Sequence, residues 1–266
     1  MTEGTGTASG RRRAIVSGGS TGIGRAVVLQ LTAAGVDVLA TGRDRARLDA
    51  LRAGVAGPGS VETVVADLGT AEGAAAVLDR AHTLLGGADI VVNNLGLSES
   101  RAFHAATDDD WHRALEVNLM AAVRLTRGCI AGMRDRHWGR LVHIASVVAR
   151  QPDPFLPAYS AAKAALVSLS KSLALAYGRD GITSNCVLPG VTETSMLRHS
   201  VEQAGARAGL SGEQVLERLL QRDPIPLGRI GTPEDIASAV CFLVGEQASW
   251  ITGACIAVDG GSLRGV

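Results

Sequence analysis

The chain has 266 residues, 26 Lys plus Arg against 26 Asp plus Glu, and a hydrophobic content of 46%. That length suits one sizeable core, while the even charge balance argues for neither a nucleic-acid face nor an acidic tail, so no nucleic-acid partner is expected. The N-terminal stretch "MTEGTGTASGRRR" lacks the apolar run of a signal peptide, and nowhere do about eighteen apolar residues follow one another as a membrane helix requires; a cytoplasmic protein with no membrane partner is the expectation.

Residues 1–12, rich in Gly, Ser and Thr, read as a disordered tail, and residues 13–266 as one domain. Within it short β-branched runs alternate with stretches of helical period. "RAIVS" precedes a helix over 22–34, "VDVLAT" one over 44–54 and "VETVVA" one over 70–85. Then come "ADIVVN", a helix within 108–136, "GRLVHIAS", a helix over about 158–178, "ITSNCVL" and "ACIAVD". Strand–helix alternation implies crossover connections, and crossovers imply a parallel sheet covered on both faces, which is why the strands are apolar nearly throughout. The expected fold class is α/β: a single-domain, Rossmann-like, doubly wound sheet of about seven parallel strands with helices on both faces. Residues 195–226 interrupt the rhythm with two short helices and no strand, a candidate substrate lid. Cys129, Cys186, Cys241 and Cys255 stand far apart without a CxxC pair, so they read as small buried apolar residues rather than a zinc or disulfide framework.

"SGGSTGIG" places Gly18, Gly22 and Gly24 between the first strand and its helix. A glycine-rich turn there aims free backbone N–H groups and the positive helix end at a phosphate, which a Cβ would obstruct. Tyr159 and Lys163 stand four apart at the start of a helical segment, hence on one face, where an ammonium can stabilise a phenolate and tune it as a general acid/base. Ser146 closes the strand "GRLVHIAS", at the carboxyl end of a parallel strand, where ligands sit and where a hydroxyl can donate to a carbonyl oxygen gaining charge. Asn118 interrupts a long helix with a poor helix former.

The spacing Gly-x-x-x-Gly-x-Gly, followed in order by "NNLG", "VNL", "YSAAK", "LPG" and "ITGACIAVDGG", resembles the short-chain dehydrogenase/reductase family over about residues 11–262, and within it the 3-oxoacyl-ACP-reductase-like ketoreductases. The resemblance implies a dinucleotide-binding catalytic domain over 13–266, with Asn118, Ser146, Tyr159 and Lys163 as the catalytic set. The Asn118 position would hold a water in a helix kink. For the cofactor it implies Gly18, Ser20, Thr21, Gly22, Ile23 and Gly24 at the pyrophosphate, Asp67 and Leu68 at the adenine, and Asn94, Leu95 and Gly96 along the ribose. Pro189, Gly190, Val191 and Thr194 would receive the carboxamide, and Tyr159 and Lys163 would also touch the cofactor. Leu95 replaces a small alanine of the family pattern, and Ser17 a threonine. A homotetramer or homodimer built through the two long helices and the last strand is also implied.

Cofactor choice turns on the end of the second strand, where an acid would hold the ribose 2′-hydroxyl of NAD. Gly42 stands at that position and Arg43 follows, which favours NADPH/NADP+ over NADH/NAD+, while Asp44 reads as a helix N-cap. Substrate contacts are expected from Leu97, Arg150, Phe155, Met196 and Leu197. His104 and His199 border the site without metal-ligand spacing, so no metal is expected. The function expected is an NAD(P)H-dependent ketoreductase acting on a small-molecule carbonyl or secondary alcohol. The alternatives are an NAD-linked alcohol dehydrogenase on the same scaffold and a catalytically idle nucleotide-binding protein.

Overall fold

The computed structural model describes residues 10–264. Among them seven strands form one parallel sheet in the order β3-β2-β1-β4-β5-β6-β7. They are β1 (Arg13–Val16), β2 (Asp37–Gly42), β3 (Val61–Val65), β4 (Ile90–Asn93), β5 (Gly139–Ile144), β6 (Ile182–Pro189) and β7 (Cys255–Val258). Strand order reverses between β1 and β4, and a crevice opens there at the carboxyl ends. The helices are α1 (Gly22–Ala33), α2 (Arg45–Ala53), α3 (Ala71–Leu85), α4 (Asp108–Leu115), α5 (Ala121–Asp135), α6 (Pro157–Tyr177), α7 (Ser195–Ala208), α8 (Gly212–Arg222) and α9 (Pro233–Val244).

The two-residue period of the strands assigns the core to two layers. Ala14 and Val16 of β1 face a cluster with Val27, Leu31, Ile236 and Val240, beneath α1 and α9. Ile15, between them, faces the opposite cluster with Val77, Leu125 and Met133, beneath α3 and α5. Asp44 caps α2 by accepting from the Arg47 N–H at 3.1 Å, as its sequence position predicts. The sequence reading did not anticipate α9, which Thr232 and Asp235 open with a capping box and Pro233 begins.

The long helical stretch over 108–136 is not one rod. A π-helical turn, Glu116–Met120, separates α4 from α5, and Asn118 lies within it. A π turn inserts one residue into the α ladder, so the face α4 presents to the crevice is rotated away from the face α5 presents to the core.

At the amino-terminal pole of the sheet, Asp89 is 3% exposed and receives Arg13 at 2.8 Å and Arg136 at 2.7 Å. Burial raises the Asp89 carboxyl, but hydrogen bonds and charge from Arg13 and the charge of Arg136 outweigh it and hold the group below the usual carboxylate range. Of the expected tail, residues 1–9 lie outside the described residues. The described part is engaged: Arg11 pairs with Asp37 at 3.6 Å, and Arg12 lies 3.7 Å from the Trp138 ring centroid. No described helix is long and apolar enough to cross a membrane.

Candidate active site

The glycines of the first turn serve different ends. Gly18 and Gly22 have φ of +62° and +51°, the left-handed region that disfavours side chains. Gly24 is needed for packing, since a Cβ there would stand 2.2 Å from the Gly18 carbonyl oxygen and 2.5 Å from Asn94 Nδ2. Ser17 joins this turn to β4. Its Oγ accepts from the N–H groups of Asn94 at 2.9 Å and Leu95 at 3.0 Å, and Asn94 Nδ2 donates to the Ser17 carbonyl at 2.9 Å. The hydroxyl is the part that matters here, and serine supplies it as threonine would. Leu95 turns its bulk into the core layer of Ile15 and Leu125, so it is accommodated below the crevice while still edging it.

The crevice is about 1860 Å³, more than the ~300–1,000 Å³ of a pocket for one small ligand, and so large enough for two. Its walls include Gly18, Ser20, Thr21, Gly22 and Ile23 from the first turn, with Gly24 just behind. Arg43, Asp67, Leu68, Asn94, Leu95 and Gly96 line one arm. Pro189, Gly190, Val191 and Thr194 line the other, together with Leu97, Phe155, Met196 and Leu197. Asp67 Oδ1 accepts from the Gly69 N–H at 2.9 Å, which fixes the turn after β3. A Cβ on Gly42 would fall 2.8 Å from Ser20 Oγ, so a longer side chain at that strand end has no room without displacing the serine. Arg43 is exposed at the crevice rim, with no hydrogen bond or ion pair among the described residues.

Ser146, Tyr159 and Lys163 converge on the crevice floor. Pro157 begins α6, which sets Tyr159 in its first turn and Lys163 one turn on, on the same face. Burial pushes the Tyr159 phenol up to about 12, and a hydrogen bond with Ser146 pulls against that rise. Lys163 is 2% exposed, and burial lowers its ammonium to about 8. Its Nζ donates to the Ile144 carbonyl at 2.8 Å and lies 5.6 Å from the centroid of the Tyr159 ring. Lys163 thus stands over the phenol ring, while desolvation and Ser146 set the direction of the tyrosine's own shift.

Asn118, 1% exposed, is anchored rather than free. Its Oδ1 accepts from the Leu97 N–H at 3.0 Å, and its Nδ2 donates to the carbonyls of Leu97 at 3.0 Å and Ala114 at 2.9 Å. Asn118 Oδ1 and Lys163 Nζ lie 3.4 and 3.5 Å from the point a Cβ on Gly96 would occupy, so Gly96 is the gap between them. Beneath the floor, Asn93 Nδ2 donates to Thr126 Oγ1 at 3.0 Å and reaches His143 Nδ1 at 3.1 Å, and Ser184 Oγ lies 3.3 Å from His143 Nε2. His143 is fully buried, and desolvation, with the Lys163 charge adding to it, lowers its imidazole to about 4.

Two sequence expectations need correction. Arg150 is not among the residues that line the crevice: the short turn after Ser146 carries it toward β7, where its charge acts on the Cys255 thiol. The four cysteines are not uniformly buried and apart, since Cys241 and Cys255 are half-buried and Cys255 is the register partner of Cys186. His199 lines the crevice and His104 does not. Sequence reasoning missed the arginines of α7 and α8, of which Arg222 pairs with Asp153 at 3.0 Å and Arg207 donates to the Ser100 carbonyl. Their helical period was the available signal, and it also fits a solvated surface.

Residues 18–262 match the family model described as Enoyl-(Acyl carrier protein) reductase. The chain is 36% identical over 253 residues to the 3-oxoacyl-(acyl-carrier-protein) reductase FabG of Pseudomonas aeruginosa, covering 93% of this chain and 96% of that one. It is 35% identical over 256 residues to the acetoacetyl-CoA reductase of Shinella zoogloeoides, covering 94% and 98%. The L-sorbose reductase of Gluconobacter frateurii, solved with NADPH and L-sorbose, superposes with a TM-score of 0.90 at 33% identity over 96% of this chain and 98% of that one. With a nucleotide-sized crevice at the switch point of a doubly wound sheet, these similarities establish that the chain belongs to the short-chain dehydrogenase/reductase family, as an oxidoreductase acting between CH–OH and C=O groups.

Proposed function

We propose that the protein is an NADPH-dependent ketoreductase whose proton donor is Tyr159. The observation that carries this reading is the convergence of Ser146, Tyr159 and Lys163 on the floor of a crevice with room for cofactor and substrate together. The residues present fit a phosphorylated dinucleotide. The first turn offers a backbone cradle in which Gly18 and Gly22 hold left-handed conformations, Gly42 leaves no carboxylate to repel a 2′-phosphate, and the unpartnered Arg43 guanidinium stands beside it. NADPH supplies the hydride when bound. Asp67 and Leu68 would flank the adenine, Asn94, Leu95 and Gly96 the ribose, and Pro189, Gly190, Val191 and Thr194 the carboxamide.

Ser146 donates a hydrogen bond to the substrate oxygen and fixes its position beside the phenol. Tyr159, held protonated by burial, gives that oxygen its proton as charge accumulates there. Lys163 keeps an ammonium below about pH 8 under the Tyr159 ring, so the phenolate left behind faces a cation. Asn118 pins the strand-end segment at Leu97 to the π turn and thereby holds the Gly96 gap beside Lys163. Residues 195–226 act as the substrate lid, with Leu97, Phe155, Met196 and Leu197 as walls, over a small carbonyl or secondary alcohol. The sheet edge at β7 and the exposed Trp250 and Leu175 support assembly into a homodimer or homotetramer, and the cytoplasm is the proposed site of action by likeness to the FabG relatives.

The test is oxidation of NADPH and NADH across β-ketoacyl thioesters, diketones, cyclic ketones and quinones, with Tyr159→Phe as control. Turnover with at least one carbonyl class is expected, falling about 10²- to 10⁴-fold in the variant. NADPH binding without turnover on any carbonyl, or turnover unchanged in the variant, would overturn the reading.

A further inference from the structure

Two of the four cysteines meet. Cys186 of β6 and Cys255 at the start of β7 are register partners in adjacent parallel strands. Opposed positions on neighbouring strands point to the same face and lie about 4.8 Å apart, within the ~4.4–6.8 Å Cα separation of bridged cysteines. Each thiol influences the protonation of the other, and both are free. They occupy different surroundings. Cys186 is fully buried with Ala145 and Leu188, and its Sγ lies 4.0 Å from the Leu166 carbonyl oxygen of α6. Cys255, like Val167 of α6, packs against that cluster; it is half-buried, and the charges of the exposed Arg150 and of Lys171 act on it.

We propose that Cys186 and Cys255 are a redox-active cross-strand dithiol, a modification site that hydrogen peroxide converts to an intramolecular disulfide. Cys255 is the attacked thiol. Cys186, with Arg150 and Lys171, favours its thiolate over its thiol, while contact with Cys255 and burial keep Cys186 protonated. The Cys255 sulfur attacks one peroxide oxygen and the O–O bond breaks, leaving a sulfenic acid and hydroxide, which takes a proton to become water. The Cys186 sulfur, giving up its proton, then attacks the Cys255 sulfur as the S–O bond breaks and a second water leaves. The sum is two thiols and one peroxide converted to one disulfide and two waters, a two-electron oxidation of the pair.

The test treats the full-length protein with hydrogen peroxide, blocks remaining thiols and maps its peptides without reductant. The expected result is a cross-link between the Cys186 and Cys255 peptides within one chain, removed by dithiothreitol, with Cys129 and Cys241 still alkylated. Cys186→Ser should leave Cys255 as a sulfenic acid captured by dimedone, and Cys255→Ser should leave Cys186 unoxidised. A disulfide joining two chains, oxidation of Cys241 at the same rate as Cys255, or over-oxidised Cys255 without the cross-link would each overturn the proposal. Mapping of the wild-type protein decides the matter even if a serine variant fails to fold. The readout uses no reductase activity, so failure of the proposed reaction would leave it intact.

Discussion

At the scale of single residues, the proposed cofactor preference is tested at Arg43. Its guanidinium has no partner among the described residues and stands beside a strand end where Gly42 leaves no acid. Removing one charge-assisted contact costs ~1.5–3 kcal/mol, so Arg43→Ala should raise the KM for NADPH by about 10- to 100-fold and leave that for NADH within about twofold. Steady-state kinetics with both nucleotides checks this, and equal losses would contradict it. The positions of the site residues were legible: Ser146 follows the end of β5, and Tyr159 and Lys163 share a face of α6. The influences on them were not legible. Spacing put Lys163 beside the phenol, and the structure adds that its ammonium also donates to the Ile144 carbonyl and that burial raises the tyrosine. Arg150 looked like a substrate contact because it follows Ser146 closely in sequence, and a three-residue 3₁₀ turn, Val147–Ala149, redirects it.

Between elements, the network through Thr126, Asn93, His143 and Ser184 ties α5, β4, β5 and β6 together beneath the site. The Asn93 amide donates to His143 Nδ1, so a proton there would set two donors face to face, which adds to the cost of burying the charge. The folded imidazole, at about 4, lies below its unfolded value of 6.5, and the unfolded chain therefore binds more protons between those two pH values. The stability from this group is present above pH 6.5 and is lost as pH falls to 4, amounting to about 3 kcal/mol. Urea unfolding at pH 7 and at pH 4.5 should show a loss about 2–3 kcal/mol smaller in His143→Gln than in the wild type. Across the crevice mouth, Arg222 of α8 is latched to Asp153 at 3.0 Å. Exposed pairs contribute ~0–1 kcal/mol, so Arg222→Ala should quicken proteolysis within 195–226 by no more than about fivefold. Faster cleavage elsewhere first would speak against the latch. Among the elements, α9 escaped sequence reading because "IASAVCFLV" is apolar on every side, which periodicity cannot distinguish from a buried strand. The Thr232–Asp235 capping pair was the signal available. For the π turn Glu116–Met120, Asn118 was the single hint.

At the scale of the whole molecule, the alternation of strands and helices foretold the parallel sheet, because crossovers leave few other topologies. It could not foretell that Cys186 and Cys255 would lie side by side, since strand order and register arise from packing and not from sequence distance. The finished sheet has two unlike ends. Ser146, Tyr159, Lys163 and the crevice gather at the carboxyl ends of the strands, whereas the Arg13, Asp89 and Arg136 cluster sits at the other. Breaking a buried ionic group by removing one partner typically costs ~3–5 kcal/mol, so Asp89→Asn should lower unfolding stability by about 3 kcal/mol while KM and kcat, measured where the variant remains folded, stay within about twofold. A large change in KM would show that the ends are coupled. The ion cluster thus serves as a foundation that the chemistry above never visits. The crevice walls can be rebuilt for a new guest, and any stability lost in the rebuilding can be recovered from below, without either job undoing the other.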